Sequence, residues 1–180
     1  DLTTTGVPLE PAGTMTYHEL FEIYTEQIAA LAEAGADLLV VETMLGIDEM
    51  TVALEAAQSV CALPVLCSMT VQADGSGYFG GTCVEAVETL QELGAAAVGI
   101  NCSTGPDQLE SLVRNMRQAA KVPLLVKPNA GMPEISPEGE AIYSMGPEAF
   151  AQHMRTLIDA GAALVGGCCG TDPRYISALR

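Results

Sequence analysis

Positive charge is what this sequence has least of. Only 7 of its 180 residues are Lys or Arg, against 23 Asp and Glu, which gives a formal charge of −16. A field of that sign repels phosphate backbones and anionic headgroups, so it argues against nucleic-acid binding and against electrostatic attachment to a membrane. Long apolar runs are also missing, and stretches such as 38–41 and 124–126 are far too short to cross a bilayer. No basic-then-apolar segment of the secretory kind opens the chain. The first residue is Asp1 rather than Met, so the expectation is a piece of a longer polypeptide. What is present is apolar: 49% of residues are hydrophobic, enough for a real core, which excludes a disordered chain. The length is that of one domain or part of one.

The 6 cysteines are Cys61, Cys67, Cys83, Cys102, Cys168 and Cys169. An even number in a small secreted protein would suggest disulfides. In an apolar chain with no secretion signal, reduced thiols in a cytoplasmic setting fit better. Each cysteine is then either a small buried hydrophobe or a metal ligand.

Short β-branched runs alternate with amphipathic stretches throughout. The pattern predicts strands over 37–43, 64–70, 97–103, 123–129 and 163–169. Helices are predicted over 17–34, 48–60, 82–93, 106–120, 147–160 and from 173 onward. Thr16 with Glu19 and Thr82 with Glu85 read as capping boxes, and Pro106, Pro147 and Pro173 stand where a first helical residue belongs. Repeated strand–helix units with right-handed crossovers give a parallel sheet covered by helices. An open doubly wound sheet would be expected to show a glycine-rich phosphate fingerprint after a strand, and none is present. The even repeat points instead to a (βα)8 barrel, an α/β fold. With five strands recognised where eight are needed, the expectation is a partial TIM barrel, about its C-terminal five strand–helix units, spanning 1–180 and opening on a helix.

In such barrels reactive groups collect at the C-terminal ends of the strands. Here those ends are Glu42-Thr43, Ser68-Met69-Thr70, Asn101-Cys102-Ser103, Lys127-Pro128-Asn129 and Cys168-Cys169-Gly170. Cys102 and the Cys168–Cys169 pair belong to strands two apart, so their thiols can converge. Three thiolates suit Zn²⁺ and leave a fourth position open, the mark of a catalytic site. Adjacent cysteines in a regular strand point to opposite faces, so both reach one ion only if the strand stops or bends, which Gly166, Gly167 and Gly170 permit. The plainer alternatives for the pair are burial as hydrophobes or a redox couple. Cys61, Cys67 and Cys83 read as core or boundary residues, and His18 and His153 as surface residues. Lys127 is either a structural partner or an anion-binding or Schiff-base lysine, with the structural role favoured. Glu42 is either a satisfied barrel carboxylate or a substrate contact.

The segments Gly166-Gly167-Cys168-Cys169-Gly170-Thr171 and Gly99-Ile100-Asn101-Cys102-Ser103 resemble the zinc motif of homocysteine S-methyltransferases. Val40-Val41-Glu42-Thr43-Met44 and Val126-Lys127-Pro128-Asn129-Ala130-Gly131 are similar to segments of the homocysteine-binding module of the cobalamin-dependent branch. The resemblance implies Zn²⁺ held by Cys102, Cys168 and Cys169, homocysteine sulfur as the fourth ligand, and Glu42 on the substrate ammonium. Asn101 and Ser103 flank a ligand and are implied as supporting or substrate-binding groups. It further implies methylation of homocysteine to methionine, with methylcobalamin carried on a separate module and folate- and cobalamin-binding modules as partners in the full-length protein. Nothing in these residues would bind cobalamin or folate. The resemblance also implies that the first three barrel units are missing, including an acidic-glycine segment that helps to hold homocysteine. The isolated piece would then be inactive and would need missing residues, a partner copy or swapping. Alternatives are a homocysteine methyltransferase using betaine or S-methylmethionine, a non-catalytic metal-binding half-barrel, and a thiol redox protein.

Overall fold

The computed structural model describes all 180 residues. Its strands and helices in chain order are β1 (Leu2–Thr3), α1 (Tyr17–Glu33), β2 (Leu39–Met44), α2 (Ile47–Val60), β3 (Val65–Met69), α3 (Cys83–Glu92), β4 (Ala97–Cys102), α4 (Glu110–Ala119), β5 (Leu124–Pro128), β6 (Pro133–Ile135), β7 (Ala141–Tyr143), α5 (Pro147–Ala160), β8 (Ala162–Val165) and α6 (Pro173–Ala178). Six strands form one parallel sheet in the order β1-β2-β3-β4-β5-β8, and β6 and β7 form a separate antiparallel hairpin. Helices alternate with the sheet strands, the layout of a partial (βα)8 barrel.

The five expected strands are β2, β3, β4, β5 and β8. Several details differ. The chain opens on a strand and not on a helix, because Leu2 and Thr3 pair with Val41 and Glu42. Two residues are too few to show any alternation. What holds this end of the chain lies far off in sequence: Tyr24 Oη donates to the Thr3 carbonyl (3.1 Å), and buried Glu49 on α2 accepts hydrogen bonds from the Thr4 Oγ1 (2.6 Å) and Thr5 N–H (2.7 Å) that follow the strand and from Tyr24 Oη (2.9 Å). Second, the stretch between β5 and α5 is a hairpin rather than a plain connection. Third, β8 stops at Val165, four residues before the predicted end, and the expected fourth helix divides into a 3-10 turn at Pro106–Gln108 and α4.

Both predicted capping boxes are present. Thr82 accepts from the Glu85 N–H and Glu85 returns a bond to the Thr82 N–H at 2.8 Å, and Thr16 and Glu19 do the same. The core lies between the sheet and its helices, where Leu20, Tyr24 and Ile28 of α1, Met50 and Leu54 of α2 and Phe150 and Met154 of α5 are buried. Cys67 and Cys83 are in this core, and Cys61 caps α2 half-buried.

The sheet is strongly curled. In a flat sheet β2 and β5, three strands apart, would be about 14 Å from each other. Instead Glu42 of β2 and Lys127 of β5 form an ion pair across the concave face. Thr43 of β2 likewise reaches Asn101 of β4 over the intervening strand. That curl brings the strand ends together.

Candidate metal centre

At the C-terminal edge of the sheet the backbone departs from regular strand geometry at three non-glycine residues. Thr43, Cys102 and Ser103 have φ of 59°, 58° and 60°. Left-handed backbone costs an L-residue roughly 1–2 kcal/mol, so something must hold each one. A register shift between Val41 and Met44 marks a bulge in β2 around Glu42 and Thr43. The Asn101 amide fixes that bulge: Oδ1 accepts from the Thr43 N–H at 2.8 Å, and Nδ2 donates to Thr43 Oγ1 at 2.7 Å. Ser103 is held by its own hydroxyl, which accepts from the Val71 N–H at 2.8 Å and donates to the Asn101 carbonyl at 3.2 Å. Ser68 Oγ completes the cluster with a 2.7 Å bond to Asn101 Oδ1.

The Cys168–Cys169 pair lies just beyond β8, where the chain continues beside β5 without strand geometry. The Cys168 N–H donates to the Pro128 carbonyl (2.8 Å), the Cys169 N–H to Asn129 Oδ1 (3.1 Å), and the Cys169 carbonyl accepts from the Ala130 N–H (2.9 Å). Thr171 Oγ1 closes the turn on the Cys168 carbonyl at 2.7 Å. Glycine is required at two points. Gly170 has φ of +78° with Tyr143 against its α-carbon, and a Cβ on Gly167 would strike the Thr171 side chain. Ending the strand early lets both sulfurs of the pair turn toward Cys102.

Cys102 Sγ and Cys169 Sγ are 3.8 Å apart, and the three sulfurs all lie within 4.8 Å of one another. A tetrahedral ion with Zn–S bonds near 2.3 Å places its sulfurs about 3.8 Å apart, so the donor set fits zinc in number, kind and spacing. The thiols do not titrate alike. A hydrogen bond with Cys168, burial and the adjacent sulfurs push the Cys102 thiol well above the ordinary thiol range. Cys168, accepting that bond and others from the Asn101 amide and the Cys169 N–H against its burial, is lowered to about 5.

Of the other residues expected at the site, Glu42 is half-buried and paired with Lys127. Asn101 is 1% exposed and touches Cys168 Sγ at 3.8 Å, so it reaches the sulfurs from beneath. Ser103 lines an open cleft of about 460 Å³ together with Cys102, Thr43, Thr70, Met132 and Tyr143. Neither histidine lies in the cluster. Four contributors carried no role in the sequence reading: Thr43, Ser68 and Asn129, which stand at strand ends and so were within reach of a positional argument, and Tyr143, which was not. Tyr143 comes from the hairpin, and its phenol is raised by burial first and then by a hydrogen bond with Cys169.

A sequence profile described as homocysteine S-methyltransferase matches residues 2–180. Methionine synthases of Mycobacterium leprae and Mycobacterium tuberculosis are each 31% identical over 177 residues, covering 95% of this chain but only 15% of their own length. Among solved structures, the apo form of the homocysteine methyltransferase MmuM from Escherichia coli has a TM-score of 0.79 at 24% identity, covering 99% of this chain and 60% of that one. Its metallated form has a TM-score of 0.70 at 25% identity, covering 88% of this chain and 51% of that one.

Proposed function

The chain belongs to the homocysteine S-methyltransferase family, and from that premise we propose that it is the zinc- and homocysteine-binding part of a cobalamin-dependent methionine synthase. The observation that carries the reading is the meeting of Cys102, Cys168 and Cys169 at one sheet edge within 4.8 Å. Zn²⁺, when bound there, would favour the thiolate form of the homocysteine sulfur at its remaining position.

The residues of the chain do the rest. Cys102, Cys168 and Cys169 hold the ion, and the Asn101 amide and Asn129 fix the segments that carry them. Glu42 binds the substrate ammonium through a charge-assisted hydrogen bond, which also orients the sulfur. Ser103 shapes the cleft beside Cys102. The methyl donor enters from outside: similarity to methionine synthases supports methylcobalamin carried on a separate module, with a folate-binding module as a further partner. This chain spans 15% of the length of those relatives. Six free cysteines fit a reducing, cytoplasmic setting, and no helix is long and apolar enough to cross a membrane.

The test is metal analysis with and without L-homocysteine. One zinc ion per chain is expected, lost when any one of Cys102, Cys168 or Cys169 is changed to Ala, with homocysteine binding lost alongside. Full zinc content in all three variants would overturn the assignment. Methyl transfer from methylcobalamin, set against betaine and S-methylmethionine in the full-length protein, identifies the donor.

A further inference from the structure

The six-stranded sheet carries one acidic and one basic side chain, Glu42 and Lys127, and the two face each other as an ion pair. The other basic residues lie on helices or in the turns around them: Arg114 and Arg117 on α4, Arg155 on α5, Arg174 on α6, and Lys121 and Arg180 just past helix ends. In a chain this poor in cations, the one on a strand stands at the edge where the sulfurs collect. Both partners keep about a fifth of their side-chain surface open (20% and 21%), so the pair is neither sealed in the core nor free in solvent.

Its location is tied to the cluster from several sides. Lys127 is the register partner of Asn101, one step before the Cys102–Pro128 pair. Glu42 precedes Thr43, which Asn101 holds by two hydrogen bonds. Asn101 in turn touches Cys168 Sγ. The Lys127 stem runs over Gly166, where a Cβ would sit 3.3 Å from Lys127 Cγ, two residues ahead of Cys168. The pair therefore flanks the same asparagine that supports the sulfurs.

We propose that Lys127 is a specificity-determining residue that binds the substrate's α-carboxylate, so that the Glu42–Lys127 pair opens around the zwitterionic head of an amino-acid thiol. The inference rests on the homocysteine reading above and extends it to the opposite charge. An ammonium on Glu42 alone would leave Lys127 without its partner, and a half-buried unpaired cation is costly. A zwitterion replaces each partner with a matching charge, and the exchange is neutral overall. In homocysteine two methylene groups and the α-carbon separate the sulfur from that head, so anchoring both ends fixes the sulfur's position.

The experiment compares three thiols on the zinc-loaded full-length protein: L-homocysteine, 3-aminopropanethiol (no carboxylate) and 4-sulfanylbutanoate (no ammonium). The native protein is expected to prefer homocysteine over either analogue by about tenfold or more. Lys127→Met should erase the preference over 3-aminopropanethiol and keep that over 4-sulfanylbutanoate, while Lys127→Arg restores the native pattern. Glu42→Gln should do the reverse. The double variant Glu42→Gln/Lys127→Gln leaves no unpaired charge to disturb folding and should lose both preferences with zinc content unchanged. If Lys127→Met binds homocysteine with the carboxylate preference intact, the clamp is overturned and the homocysteine reading stands. If the native protein binds none of the three thiols, both fall.

Discussion

Asn101 makes four polar contacts from a side chain that is 1% exposed: with the Thr43 N–H and hydroxyl, Ser68 Oγ and Cys168 Sγ. It uses both ends of the amide, accepting on one side and donating on the other, and so sits between the β2 bulge and the sulfurs. Asn101→Ala would leave the Thr43 N–H and the Ser68 hydroxyl without partners in a buried place, at a cost of about 3 kcal/mol. Asn101→Asp keeps the acceptor and loses the donor, placing a carboxylate beside Cys168. That variant should fold, but bind zinc about tenfold or more weakly in a competition titration with a chromophoric chelator. Equal affinity would mean that the amide serves the strands only. Position in the sequence exposed the three sulfurs, because glycines flank the pair and Cys102 ends a strand. It did not show that Asn101 is a hub, since its partners come from three separate segments and only the curl of the sheet unites them.

A different cysteine reports on pH. Burial pushes the Cys67 thiol up to about 12, with no charged partner involved. In the unfolded chain a thiol ionises near 8.5–9, so between roughly pH 9 and 12 the unfolded state has lost a proton that the folded state keeps. Stability from this group is whole below that window and falls by about 1.4 kcal/mol per pH unit within it. Urea unfolding at pH 8 and pH 10 should show a steeper loss in the native chain than in Cys67→Val. Parallel losses would show that the thiol is already ionised in the folded protein.

Among the elements, those with local signals were the legible ones. Thr82 and Glu85 announce the start of α3 through an exchange of hydrogen bonds three residues apart, and the structure holds both bonds. Thr82→Ala should cost about 1 kcal/mol, seen as a lower urea midpoint with unchanged slope. No shift at all would place the stability of α3 wholly in its buried face of Ala86, Val87 and Leu90. The β6–β7 hairpin was hidden because Glu134, Ile135, Ala141 and Ile142 are exposed, so the stretch lacks the apolar alternation of a core-facing strand. β1 was hidden because it is two residues long and its support is distant, from Tyr24 on the Thr3 carbonyl and Glu49 on the two threonines that follow. β8 ends earlier than its sequence pattern suggests for a related reason: the chain runs on beside β5 as far as Cys169, hydrogen-bonded through loop geometry that sequence periodicity cannot separate from a strand.

For the whole molecule, the placement of the sulfurs decides what metal loss does. Cys102, Cys168 and Cys169 lie at the rim of the sheet, outside the hydrophobic core, and Cys169 is exposed. The elements carrying them are anchored independently of any ion: β4 between β3 and β5, and the segment after β8 by backbone bonds to Pro128 and Ala130. This differs from small zinc domains, in which the metal replaces a core that the chain is too short to build. Removing zinc with a chelator should therefore leave far-UV circular dichroism and cooperative unfolding in place. The unfolding free energy should fall only by what is owed to mass action, about 2.7 kcal/mol at a hundredfold excess of free metal over its dissociation constant, and the melting temperature should drop accordingly. Homocysteine binding should vanish in the same sample and return when zinc is restored. Collapse of the circular dichroism on chelation would show instead that the ion closes the fold, and that the curl of the sheet depends on the metal at its edge.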